Sequence, residues 1–313
     1  PAVFPPDVIE RFAAARPRDA AEPSASITIE SDPPGAIAYV DFLPPRDICV
    51  AFFDASRAAE MASTALVVEE NTVSNPAIAF AGDGAAMVVY EQTMSTTGLM
   101  GAVFAAGSTT PGAPFEVASG MTRAASPDIA GTSAGFVVAF TAGGDGHFQR
   151  FGSDGSAVDA RAMPAGDGAG TQDQPAVGAQ PDGSFLVVWR DELADGASTG
   201  IGARTFTPDG MPVQDAFVLN TTTAAAQGSP SIASGNGAYA VAYLSGPGAR
   251  ARYVSSDGDP IPNQDLPPTT ADFEITNSAT EVSAGSGGTD SDGAFMAVFN
   301  QSDDITGRLF PLR

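Results

Sequence analysis

Between Pro175 and Asn220 the apolar positions fall into four short clusters separated by turn residues. Ala176–Ala179 is small and follows a proline. Phe185–Trp189 is a continuous apolar run rich in β-formers, the pattern of a strand covered on both faces. Gly200–Phe206 makes a third cluster, and Val213 followed by Phe217–Leu219 makes an outer one. Pro181-Asp182-Gly183 and Thr207-Pro208-Asp209-Gly210 are tight turns, because proline presets φ and glycine accepts a positive one. Arg190–Thr199 reads as a polar loop. The stretch predicts four consecutive antiparallel strands.

The same pattern recurs along the chain. The aromatic ending the second strand returns as Tyr39, Tyr90, Phe140, Trp189, Tyr243 and Phe299, at steps of 49 to 56 residues. The aromatic ending the third returns as Phe53, Phe104, Phe151, Phe206, Tyr253 and Phe310. The first strand opens on Asn75-Pro76, Ser126-Pro127, Gln174-Pro175 and Ser229-Pro230, whereas the first and last copies lack the proline. Repeats of this length built from four strands predict an all-β, six-bladed β-propeller, each blade burying its faces against its neighbours. A solenoid is the competing repeat architecture, with shorter repeats and polar end caps.

The units run about 26–75, 76–126, 127–174, 175–229, 230–279 and 280–313. The last stops after its third strand. Residues 1–25 therefore read either as a short helix opened by Pro5-Pro6-Asp7 or as a tail whose Val8–Phe12 strand completes that blade. Ser255–Thr270 is a Pro-rich excursion in the fifth unit.

The 313 residues carry 37 acidic side chains against 14 basic ones, a net charge of −23, and every basic residue is Arg. Such a surface repels phosphate backbones and argues against nucleic acid as a partner. Lysine-free composition fits a GC-rich genome or a salty habitat. No apolar run is long enough to predict a membrane span. The single cysteine, Cys49, has apolar neighbours and reads as a packed thiol.

The unit around Pro181–Trp189, Gly200–Phe206, Asp209-Gly210 and Phe217–Asn220 resembles a β-propeller-type repeat of large secreted bacterial proteins, in which a DGxFxVxW segment is followed by GxxxRxF, DG and FxVN. The match is strongest in the fourth unit and weaker elsewhere. The resemblance implies a bacterial, exported module, periplasmic or extracellular. It carries no catalytic motif, so no site residue transfers.

The candidate chemistry is thin. His147 is the only histidine, which removes three-histidine zinc sites and makes a Ser-His-Asp triad strained. No phosphate-binding glycine loop is present. Calcium is a weak option at Thr289–Gly293, where the late bidentate glutamate is missing; no other cofactor is expected. Asp41, Glu91, Asp191, Glu192, Asp303 and Asp304 follow second strands and should share one rim, where paired acids could cleave glycosidic bonds. First-strand positions should line the channel and are mostly small or apolar, apart from Asp128 and Glu281. The leading expectation is a non-enzymatic binding or scaffold module, such as an accessory subunit of a bacterial envelope complex docking on a protein. Its candidate contacts are Val3, Phe4, Arg46, Glu91, Arg190, Asp191, Glu192, Asp303 and Asp304. The alternative expectation is a carbohydrate-binding or glycan-cleaving propeller.

Overall fold

The computed structural model describes residues 25–28, 35–41, 47–53, 60–66, 72–93, 97–160, 162–166, 168–235, 237–262, 270–286, 294–301 and 304–311. Among them no helix occurs, and the strands form six sheets in chain order. The first blade is β1 (Ala25–Thr28), β2 (Gly35–Asp41), β3 (Asp47–Phe53) and β4 (Glu60–Leu66). The second is β5 (Thr72–Phe80), β6 (Ala86–Thr93), β7 (Thr97–Phe104) and β8 (Phe115–Glu116). The third is β9 (Ala125–Thr132), β10 (Gly135–Ala142), β11 (Asp145–Gly152) and β12 (Met163–Pro164). The fourth is β13 (Gln172–Ala179), β14 (Phe185–Asp191), β15 (Gly200–Phe206) and β16 (Phe217–Val218).

The fifth blade is β17 (Gln227–Gly235), β18 (Ala238–Ser245), β19 (Gly248–Ser255) and β20 (Pro260–Ile261), with β21 (Phe273–Thr276) also paired to β19. Its outer edge is thus split by the Pro-rich excursion. The sixth is β22 (Val282–Ser286), β23 (Ala294–Gln301) and β24 (Asp304–Pro311). All pairings are antiparallel, and first strands of successive blades lie against one another. The fold is a β-propeller. The strand predicted to complete the sixth blade, Val8–Phe12, lies outside the described residues.

The core sits between blades. Apolar clusters join the first blade to the second, the second to the third, and so on to the sixth. The recurring aromatics Tyr90, Phe140, Trp189, Tyr243 and Phe299 are at most 3% exposed. Each fully buried large side chain contributes about 1.5–3 kcal/mol by its area. Trp189 lies over Gly202, where an added Cβ would stand 2.4 Å from the indole nitrogen. A glycine is therefore needed there to let the indole pack.

The proline repeat has a structural meaning. In the second to fifth blades two residues oppose one: Asn75-Pro76 faces Tyr90, Ser126-Pro127 faces Phe140, Gln174-Pro175 faces Trp189, and Ser229-Pro230 faces Tyr243. Proline has no N–H for the ladder, so each first strand bulges there. The residue before it takes a left-handed φ of 47° to 52°. The proline-free first and sixth blades keep continuous register. First strands consequently begin ahead of the prolines, at Thr72, Ala125, Gln172 and Gln227.

Candidate functional site

Second strands end on the rim where first strands begin. Glu91 pairs with Ser74, and Arg190 and Asp191 pair with Asp173 and Gln172.

Glu91 is half-buried and reaches from one blade to the next. Its Oε2 accepts a 2.8 Å hydrogen bond from the Ser74 hydroxyl, and its Oε1 accepts a 2.6 Å bond from the Ser126 N–H of the next first strand. That amide belongs to the left-handed residue of the bulge. In the fifth blade the equivalent amide, Ser229 N–H, donates to Gln174 Oε1. The bulges therefore present amides that side chains of the preceding blade can hold.

Arg190 occupies the position of Glu91 in the fourth blade. Its Nε and Nη2 donate to the two oxygens of Asp173 at 2.6 and 2.5 Å. The stem of the arginine crosses Gly228, where an added Cβ would come 3.3 Å from its Cδ. Glu192 is exposed and accepts from Thr171 N–H. Asp191 differs from the loop position expected for it: it ends β14 and is 8% exposed. Its carboxylate accepts from Trp189 Nε1, Gln172 Nε2 and Leu193 N–H. That leaves Asp191 a structural acid with almost no surface for a partner.

Asp128 is an acid on a first strand itself, past the bulge. It lies in β9, at the end of its sheet, and its Oδ2 accepts a 2.8 Å bond from Val177 N–H on the first strand of the next blade. First strands pair on one edge only, so this amide belongs to the open edge that faces the channel. Counting from the recurring aromatics, the positions level with Asp128 are Ser26, Ala77, Ala176, Ser231 and Ser283. Only one of the six carries charge. Burial pushes the Asp128 carboxyl up to about 6, against the opposing pull of the Val177 and Ile129 amides. Glu91 holds Ser126, two residues before Asp128 on β9 and inside its bulge.

Thr141, next to Phe140 at the end of β10, has a buried Oγ1 without a hydrogen-bond partner. Its place in the ring lies between those of Glu91 and Arg190.

The other expected residues are dispersed. Val3, Phe4, Arg46, Asp303 and the Thr289–Gly293 turn lie outside the described residues. Asp304 opens β24, with its side chain likewise outside them. Glu281 is exposed just ahead of β22. His147 stacks on Phe140 with ring centroids 6.0 Å apart, and its Nδ1 lies 3.0 Å from the Asp145 carbonyl oxygen. Turn carboxylates such as Asp83, Asp154 and Asp182 accept from the amide two residues on. Among the described residues no cluster of three metal-ligating side chains occurs, and no helix is long and apolar enough to cross a membrane.

Away from this rim, Asp272 ties the fourth blade to the fifth. It accepts from Thr221 and Thr222 N–H, the Thr222 hydroxyl, the Tyr243 hydroxyl and Arg250 Nε. Burial alone would raise its carboxyl, yet these donors hold it well below the usual range. Arg252 donates to the Leu219 and Thr270 carbonyls of the same joint.

No protein-family model matches the chain, and no curated protein does. Solved structures do match. A protein of unknown function from Dyadobacter fermentans is 9% identical over 93% of this chain and 94% of its own, with a TM-score of 0.60. The GH93 α-L-arabinofuranosidase of Fusarium graminearum, solved with arabinobiose, is 13% identical over 93% and 92%, also at 0.60. The Hadza microbial sialidase Hz136 is 12% identical over 92% of this chain and 65% of its own, at 0.59. Two of these neighbours are glycoside hydrolases, which goes against the expectation of a non-enzymatic scaffold or accessory subunit and favours the alternative of a glycan-cleaving propeller. At such identities the likeness is one of fold, and the fold that this chain shares with them is the β-propeller.

Proposed function

We propose that the protein is a glycan-cleaving propeller that hydrolyses glycosidic bonds at the mouth between its second and fourth blades. The observation that carries this reading is a pair of carboxyls of unlike setting that meet at one first strand, Glu91 reaching Ser126 of β9 from β6 and Asp128 standing in β9 itself. Glycoside hydrolysis needs one acid that still holds its proton and a second carboxylate facing the sugar. Asp128, raised to about 6 by burial, suits the proton donor to the leaving oxygen. Glu91, half-buried and held by Ser74 and Ser126, suits the second role, acting on the anomeric carbon directly or through a water. Glu91 meets that strand two residues ahead of Asp128. Arg190, fixed by Asp173, keeps N–H groups for sugar hydroxyls. We place the activity outside the cytoplasm, where polymeric glycans are found, in line with the exported repeat proteins that the units resemble.

The test is release of reducing ends from neutral oligosaccharides, arabino-oligosaccharides among them, by the full chain and by Glu91→Gln and Asp128→Asn. Each variant is expected to lose about 100-fold or more in kcat, with KM little changed. Full activity in variants that melt normally would sink the assignment of the two acids.

A further inference from the structure

We propose that the mouth takes uncharged glycans and rejects acidic ones such as uronides and sialosides; this rests on the glycoside reading of the same site. The charges at the rim decide it. Glu91, Asp128 and Asp173 bring three carboxyls to the rim of the second to fourth blades, none of them fully exposed. Among the described residues Arg190 is the guanidinium set with them, and Asp173 already takes its Nε and Nη2. Its charge is thus neutralised within the protein. Arg123, in the loop leading to β9, and Glu192 are both exposed, where ions screen them alike.

Recognition of a sugar carboxylate needs a cation free to form paired, charge-assisted bonds. Arginines buried elsewhere cannot serve: Arg250 is bound to Asp272 and Arg150 to Asp159. The whole chain adds a field of the same sign, at −23, which lowers the encounter rate of any anionic ligand. The polar groups that the mouth offers are these carboxyls and the unspent face of Arg190. These are partners for sugar hydroxyls.

Stacking gives no escape from this preference. Among the described residues the large exposed apolar side chains are Val158, Leu193, Met211, Val213 and Val218, none of them aromatic. An acidic sugar could not be held there by ring stacking in spite of its charge. Hydrogen bonding to an uncharged sugar therefore decides affinity.

The test is calorimetric titration of the full chain with matched pairs: lactose against sialyl-lactose, and galacto-oligosaccharides against oligogalacturonate, with arabino-oligosaccharides as a further neutral probe. The expected result is binding of at least one neutral glycan, with its acidic match weaker by tenfold or more. Raising the salt concentration should narrow that gap, since screening relieves repulsion and leaves the neutral ligand unaffected. Asp173→Asn frees Arg190 and removes a carboxylate, so it should narrow the gap as well. Binding of an acidic glycan as tightly as its neutral match overturns the selectivity and leaves the glycoside reading standing. Failure of every glycan to bind overturns that reading, and this inference with it.

Discussion

Asp128 shows how much one side chain can draw from its setting. Its carboxyl is raised because burial disfavours the charge more than two amides favour it. In the unfolded chain the group ionises near its ordinary value. Stability from this residue is therefore fully present below about pH 4 and is lost as pH rises through about 6. Asp128→Asn keeps an acceptor for Val177 N–H and removes the charge. We expect the variant to melt above the parent at pH 8, by up to about 3 kcal/mol in stability, with the gap closing near pH 4. Thermal melts across that range check this, and a gap that ignores pH would remove the raised carboxyl from the argument. The sequence does mark Asp128 as unusual, since it interrupts a small, apolar tract. What it could not convey is the distance to Val177, which lies in another blade. The same lack of depth hides the fate of Asp191, whose place after an aromatic looks like a loop start. Only the fold reveals three donors around it.

At the scale of the element, the strands were legible because their chemistry is local. Apolar runs, Asp-Gly turns and a recurring aromatic suffice to read the second and third strands, and β15 falls where its residues predict. The first strands were read short. Their prolines look like starting points but are bulges inside a strand, and the strand pairs again on the far side of them. The outer strands were read long. Phe217–Leu219 looks like a full strand, yet β16 holds only Phe217 and Val218, with one further backbone bond from Leu219 N–H to the Ile201 carbonyl oxygen. Edge strands with one neighbour carry weak local signals.

The bulges also carry a testable cost. Ser229 has φ 47° and an exposed side chain, and its backbone N–H is the group held by Gln174. Ser229→Val puts a β-branched residue in the left-handed region and should destabilise by about 1–2 kcal/mol. Ser229→Gly should be neutral within about 1 kcal/mol, because glycine accepts that φ. Urea melts of the two variants separate backbone strain from side-chain loss; equal effects would show that the strain is absent.

Over the whole molecule, blades are joined by apolar faces and by a few buried polar knots. The Asp272 knot is the densest described. Asp272→Asn would leave Arg250 facing a neutral amide and should cost about 3–5 kcal/mol, seen as a lower denaturation midpoint at neutral pH. Because donors hold the native carboxyl low, its contribution is present above about pH 4 and fades as acid protonates it. The cost of the substitution should shrink accordingly in strong acid. A midpoint unchanged at pH 7 would show that the knot is incidental. Function was the least legible property at this scale. No motif marks it, and the residues of the proposed site come from separate blades.

The bulges have one more consequence, and it concerns symmetry. A ring of like blades offers a ligand on its axis nearly equivalent orientations, related by one blade's rotation. Such a ligand gains little from any one of them and is poorly aligned for reaction. Here an arc of four bulged blades is set against two regular ones, and one acid stands at a level where its counterparts are serine and alanine. The degeneracy is lifted twice, coarsely by the arc and finely by Asp128. A ring built by repetition thereby acquires a single preferred heading for what enters it.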